Sequence, residues 1–131
     1  MPKKGDSFTV ELKKAHLEWG SYRHTNTRKK IYGEGYIHIP REYAKLFNVY
    51  NNNSEKGAPY YLCSTLDGFL LNETIMASGS STGGDIYAKQ FQGQEDLKLL
   101  GRWFEFVSAQ EGDCIKVTWT SDVEILLEIV K

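Results

Sequence analysis

A cationic and polar cluster occupies residues 23–30 of the sequence, which read RHTNTRKK. The side chains of interest are Arg23, His24, Asn26, Arg28, Lys29 and Lys30, and no acid interrupts them. Lysine and arginine neutralise phosphates, whereas guanidinium and amide groups also hydrogen-bond to base edges. The cluster therefore predicts contact with a polyanion, although an ordinary exposed hairpin tip would also accommodate these residues.

A second polar segment spans residues 78–94, SGSSTGGDIYAKQFQGQ. It combines short hydroxyl side chains with Lys89, Gln90 and Gln92, which are again groups suited to phosphates and base edges. Its glycine-rich part lacks the lysine of a phosphate-binding loop. Two polar segments on one β scaffold could grip the two edges of a groove, and a mobile connection is the alternative interpretation.

Charge is distributed unevenly along the chain. Residues 1–30 contain eight Lys and Arg against three acids, a balance of +5, whereas the remaining residues hold eight against fourteen, a balance of −6. Such a division within one domain predicts a basic face and an acidic face.

Residue patterns typical of catalysis are sparse. The three histidines are too scattered for a metal site, neither cysteine has zinc-ligand spacing, and no nucleophile elbow or dinucleotide fingerprint occurs. The triplet Glu11-Leu12-Lys13 matches the spacing of a carboxylate and a lysine on a metal-dependent nuclease strand, but the second carboxylate is missing. We predict no catalytic residues, metal or cofactor, and keep a nuclease as an alternative.

The elements that must position these residues are short strands and two short helices. Alternation of apolar and polar residues predicts strands at residues 7–13 and 85–91. Runs bounded by turn residues predict strands at 36–39, 60–65 and 69–78, and a final hairpin over 111–130 that turns at Ser121 and Asp122. In the segment 85–91, Ala88 and Phe91 fall on opposite faces. Helices are predicted over 40–48, with Pro40 at the first helical position and Asn48 as the stop, and over 95–110, where Gly101 weakens the pattern.

Together these elements predict one mainly β domain over residues 1–131, a small open barrel or pseudobarrel with two short helices. Trp103 and Trp119 are most simply core residues, whereas Trp19 could support the basic loop by packing or stack on an unpaired base. Cys63 and Cys114 are expected to be buried free thiols of a reducing compartment. No apolar run is long enough to span a membrane, so a cytoplasmic protein is expected.

Two segments resemble a known superfamily. GYIHIPREYAKLFNV (residues 35–49) followed by EGDCIKVTWTSDVEILLEI (residues 111–129) resembles the strand, proline-initiated helix and hairpin of the DNA-binding pseudobarrel superfamily. That superfamily includes plant auxin-response-factor-type domains and effector domains of restriction endonucleases. The same helix and hairpin are also similar to swapped-hairpin transition-state regulators, which are much shorter chains.

The resemblance implies a site made of two arms that clamp the major groove of duplex DNA. By position, residues 21–30 would be the first arm and residues 78–94 the second arm. Family arms carry more Arg or Lys than the single Lys89 found here. We therefore expect a non-catalytic DNA-binding domain, favoured as a monomer, from a restriction-type enzyme or a small bacterial or phage regulator.

One further alternative involves a protein partner. The acidic part of the chain could meet a basic protein or mimic DNA, and the residues concerned are Glu105, Glu111, Asp113, Glu124 and Glu128.

Overall fold

The alternating segments build one sheet in this computed structural model, which describes residues 2–13, 35–52, 59–79, 85–96 and 98–131. Within these residues the sheet has seven strands, and two helices pack against it. The strands are β1 (Ser7–Glu11), β2 (Ile37–His38), β3 (Tyr60–Thr65), β4 (Glu73–Ser78), β5 (Gln90–Gly93), β6 (Cys114–Trp119) and β7 (Glu124–Val130). The helices are α1 (Arg41–Phe47) and α2 (Leu99–Phe106).

The order of the strands is β1-β6-β7-β3-β4-β5-β2, so β1 and β2 form the two edges. All neighbouring pairs are antiparallel except β3 and β7, which run parallel. The sheet curls almost into a barrel and leaves an unsealed seam. The prediction of a mainly β, open pseudobarrel with two helices is confirmed.

Helix α1 follows β2 and packs on residues from the opposite side of the sheet. Tyr43 stacks on Phe8 of β1, with ring centroids 5.6 Å apart. Phe47 meets the edge of Trp119 at 5.9 Å. Ala44 is fully buried between them. The apolar face of α1 therefore links the β2 edge of the sheet to the β1 edge. Among the described residues, no strand pairing joins these two edges.

The ends of α1 follow the sequence closely. Asn48 ends the helix in the left-handed region with φ 58°, and the prediction of its role is confirmed. Pro40 lies one residue earlier than predicted. It is the N-cap residue rather than the first helical residue, because its ψ of 136° is extended. Its carbonyl still accepts the first helical bond, from Ala44 N at 3.1 Å.

The core is organised around Trp119, which is fully buried. Its ring lies within 6.1 Å, centroid to centroid, of four other aromatic rings, those of Phe8, Phe47, Tyr61 and Phe91. Its indole Nε1 is buried and has no hydrogen-bond partner among the residues that the structure describes. An unsatisfied group of this kind costs roughly 1–3 kcal/mol, which the packing of the ring must outweigh.

Helix α2 buries Leu99, Leu100, Trp103 and Phe104. Close packing explains why α2 contains a glycine, Gly101. A Cβ placed on Gly35 would lie 3.0 Å from Phe104 Cδ2 and 3.1 Å from Gly101 Cα, so the chain entering β2 passes directly over the helix. The close approach compensates for the low helical propensity of glycine.

The turn between β3 and β4 is joined to α2 through Asp67. One carboxylate oxygen accepts hydrogen bonds from Thr65 Oγ1 at 2.6 Å and Phe69 N at 2.9 Å. The other accepts a hydrogen bond from Trp103 Nε1 at 2.9 Å. Desolvation acts to raise the pKa of Asp67, but these hydrogen bonds outweigh it and the pKa lies below its ordinary value of 3.8.

Cys63 is buried in β3, where burial and then the charge of Glu73 raise the pKa of its thiol to about 12. Cys114 is a free thiol that is only half-buried at the start of β6, so the prediction of two buried thiols holds for Cys63 alone. Neither helix of the described residues has the length and apolar character that crossing a membrane requires.

The Asp67 contacts predict a pH-dependent contribution to stability. We expect Asp67→Asn to reduce the free energy of unfolding by about 1 kcal/mol at neutral pH, because an amide cannot accept the hydrogen bonds on both sides. Since the folded pKa is depressed, this stabilisation is present above the unfolded pKa and is lost as pH falls through the folded pKa.

Urea unfolding of both proteins between neutral and acidic pH measures the difference, which should shrink as the pH falls. Asp122→Asn, in the exposed turn between β6 and β7, is the matched control. A difference for Asp67→Asn that stays constant with pH would contradict this assignment.

Candidate nucleic-acid interface

The glutamines of the second arm lie on the outer face of β5. Gln90 is paired across the sheet with Ser78 of β4 on one side and His38 of β2 on the other. Gln90 Nε2 donates a hydrogen bond to Gln92 Oε1 at 3.0 Å, and Ser78 Oγ donates to the same oxygen at 3.2 Å. We call His38, Ser78, Gln90 and Gln92 the polar row.

The polar row holds its amides in fixed positions. Gln92 Oε1 accepts two bonds, whereas Gln92 Nε2 and Gln90 Oε1 have no hydrogen-bond partner among the described residues. One donor and one acceptor therefore remain available on neighbouring side chains. A donor and an acceptor in close proximity are what the edge of an adenine requires.

His38 contributes a neutral group to this row. His38 is exposed on β2. Desolvation lowers the pKa of His38, and an opposing hydrogen bond with the Lys89 backbone does not cancel the effect. The imidazole is therefore mainly uncharged at neutral pH and offers hydrogen bonds rather than charge.

Lys89 is exposed at the end of β5. Its N–H donates to Ser78 O at 2.8 Å and its carbonyl accepts from Ile39 N at 2.9 Å, so its backbone is held from both neighbouring strands. The predicted alternation along this segment is wrong here, since Ala88 and Phe91 are both buried. The break in alternation lets Lys89 reach solvent while the residues beside it pack inward.

Two further cations lie on α1, Arg41 at its first position and Lys45 in its last turn. Arg41 pairs with Asp85 at 2.7 Å, and its Cζ lies 5.8 Å from the centroid of the Tyr87 ring. Lys45 Nζ lies 6.0 Å from the same ring. Hydrogen bonds from Tyr87 N and then from Arg41 lower the pKa of Asp85, which stays ionised. We call Arg41, Lys45 and Lys89 the cationic cluster.

Arg41 and Lys45 were not among the binding residues predicted from the sequence. Their separation by four residues places them on one side of α1, and this signal was available in the sequence. What the sequence did not reveal is that Tyr87, more than forty positions downstream, lies beneath both charges. The aromatic ring joins the helix to the segment that carries Lys89.

A buried asparagine fixes the base of the second arm. Asn51 is fully buried, and its Nδ2 donates to Asp85 O at 2.9 Å and to Tyr87 O at 3.4 Å. Its backbone N–H donates to Ile86 O at 2.8 Å. In the sequence it stands in a run of asparagines, and nothing in that run distinguishes it.

Each of the six basic and polar residues predicted for the first arm lies outside the described residues: Arg23, His24, Asn26, Arg28, Lys29 and Lys30. The three residues predicted in the second arm lie together, with Gln90 bonded to Gln92 and Lys89 adjoining them.

The nuclease-like triplet forms a surface ion pair. Lys13 Nζ lies 3.1 Å from Glu11 Oε2, and both side chains are more than half exposed. Asp6, the acid that precedes the triplet in the sequence, accepts a hydrogen bond from Lys3 N at 2.8 Å. In the part of the chain that the structure describes, no group of three or more His, Cys, Asp or Glu residues is arranged to hold a metal ion.

No protein-family model matches this chain, and no curated protein sequence matches it significantly. The resemblance to the pseudobarrel superfamily thus stays a prediction.

The contacts of Asn51 lead to a stability prediction. We expect Asn51→Ala to reduce the free energy of unfolding by about 1–3 kcal/mol, because the buried carbonyls of Asp85 and Tyr87 lose a donor. Urea unfolding measures the loss, and hydrogen exchange at the Ala88 amide should become faster. Asn52→Ala, at the exposed neighbouring position, is the control. Equal effects of the two substitutions would contradict the role assigned to Asn51.

Proposed function

We propose that this chain is a non-catalytic, sequence-selective domain that binds duplex DNA with two polar arms. The observation that carries the proposal is the half-buried, hydrogen-bonded Gln90–Gln92 pair with the exposed Lys89 beside it and the other two cations of the cluster nearby. Cations supply salt-dependent affinity for phosphates, and fixed amides supply readout of base edges. The surface combines both requirements of DNA recognition.

The distribution of acids supports the same proposal. Glu124 and Glu128 lie on β7, which is separated from β5 by β3 and β4 in the sheet. Repulsion between these carboxylates and DNA phosphates is thereby kept away from the polar row. A protein with a net charge of −1 can still bind a polyanion if its cations are concentrated on one side.

Under this proposal the first arm supplies the larger share of charge. Arg28, Lys29 and Lys30 would neutralise phosphates, whereas Arg23 and Asn26 would contact bases. The second arm would place Gln90 and Gln92 at the other edge of the major groove. This arrangement would suit a recognition module of a restriction system or a small bacterial or phage regulator. Such a protein would work as a monomer in the cytoplasm and would need no cofactor.

Fluorescence anisotropy of a labelled random DNA duplex, titrated with protein at increasing salt, tests the proposal. We expect affinity to fall steeply with salt, because each neutralised phosphate releases counterions. Lys89→Ala should weaken binding and reduce the slope of log affinity against log salt by about 1.

Lys116→Ala is the control for this titration, because Lys116 is an exposed lysine on β6 at the other side of the sheet. Absence of binding at the lowest salt would contradict DNA binding altogether. If the two lysine variants lost equal DNA affinity, the effect of charge would not depend on position. That result would contradict the assignment of the DNA-binding face to the surface around Lys89.

The two roles within the first arm are separable on a selected site. Arg23→Ala should relax discrimination at one base pair by about 1–3 kcal/mol, because a base-edge contact is lost. Lys30→Ala should weaken all sequences alike and lower the salt slope. Affinities for the selected duplex and its single-base variants measure both effects, and an equal loss on every sequence for both substitutions would contradict the division.

A further inference from the structure

Four large apolar side chains cluster around the turn between β3 and β4 and the end of α2. The exposed fractions are 63% for Leu66, 39% for Phe69, 67% for Leu71 and 59% for Phe106. The rings of Phe69 and Phe106 contact each other, with centroids 4.4 Å apart. We call these four residues the apolar patch. Contiguous exposed apolar surface of this kind is typical of an interaction site.

A groove of about 210 Å³ adjoins the patch and is lined by Leu66, Asp67, Leu127, Glu128 and Ile129. Pockets for small-molecule ligands usually measure roughly 300–1,000 Å³, so this groove is too small for most of them. It suits a single apolar side chain of a larger partner. Leu66 belongs to both the patch and the groove and makes them one continuous surface.

The patch is built on a fixed support. Asp67 anchors the turn to Trp103 of α2, and Leu66 N donates to Leu127 O of β7 at 2.9 Å. The patch residues Leu66 and Phe69 flank that anchored aspartate. A surface whose shape is fixed in advance loses less conformational entropy when a partner binds.

The charges of the groove indicate what kind of partner it fits. Its lining contains the carboxylates of Asp67 and Glu128 and no cationic side chain. Lys116 is the cross-strand neighbour of Glu128, yet no ion pair joins them in the described part of the chain. A second copy meeting the patch face to face would bring the same two acids into opposition, which is unfavourable. A cationic partner would be complementary.

We propose that the apolar patch and its groove bind a peptide segment of a partner protein that carries an apolar anchor flanked by Lys or Arg. The anchor enters the groove beside the exposed Leu66 side chain, and the flanking cations meet Asp67 and Glu128. This site does not involve the polar row or the cationic cluster. It therefore stands independently of DNA binding.

Selection from a phage-displayed library of random short peptides tests the proposal, with the purified full chain as bait. We expect enriched peptides to contain a large apolar residue beside Lys or Arg. Isothermal titration with an enriched synthetic peptide should show affinity about tenfold weaker for Leu66→Ser and for Glu128→Lys. Leu46→Ser is the control, since Leu46 of α1 is 69% exposed and should leave the affinity unchanged.

Four results would overturn the proposal. They are the absence of any enriched peptide, enrichment of acidic peptides, equal binding by all three variants, and a concentration-dependent dimer that Leu66→Ser abolishes. Light scattering detects the dimer and would assign the patch to self-association. Circular dichroism verifies that each variant is folded. DNA anisotropy should be unaffected by Leu66→Ser, so failure of this site and failure of DNA binding are distinguishable.

Discussion

The packing of aromatic rings around Trp119 is the constraint on which the rest of the structure depends. An open sheet has two edges, and β1 and β2 do not pair with each other here. Instead, Phe8 from β1 and Phe91 from β5 both meet the indole of Trp119. Phe47 from α1 meets it as well. The two sides of the sheet are thus held together by side-chain packing. The cost of that arrangement is a buried indole N–H that has no hydrogen-bond partner in the described part of the chain.

The surface proposed to meet DNA follows from this core. Because α1 packs on Phe8 and Trp119 with one face, Arg41 and Lys45 are left on its exposed side. Because Phe91 points inward, its neighbours Gln90 and Gln92 point outward. Buried polar groups complete the positioning, since Asn51 fixes the backbone that leads into the second arm. Polar side chains held by a rigid core lose little entropy on binding.

Local sequence signals predicted much of the fold. The strand predicted over residues 60–65 has the same bounds as β3, and the final hairpin forms with a turn at Ser121 and Asp122 as expected. Asn48 ends α1 because asparagine tolerates the left-handed conformation. Each of these features depends on neighbours in the chain, which a sequence displays directly.

Features that depend on distant residues were not predictable. Gly101 weakened the helix prediction because its contact with Gly35 is visible only in three dimensions. The break in alternation at Lys89 arises from hydrogen bonds to Ser78 and Ile39, which belong to two other parts of the chain. Residue types alone predicted Lys89, Gln90 and Gln92 as site residues. No feature of the local sequence distinguishes Asn51 from the asparagines beside it. Long-range contacts therefore determined the structural features that local sequence patterns did not predict.

The most direct test of the central claim is a nuclear magnetic resonance titration of isotope-labelled protein with a DNA duplex at low salt. The account predicts salt-sensitive shift changes at the backbone amides of Lys89, Gln90, Gln92, Arg41 and Lys45, with the amides of β7 unchanged. Shift changes confined to β7 and the apolar patch, or none at all, would contradict the claim that the polar row and the cationic cluster form a DNA-binding face.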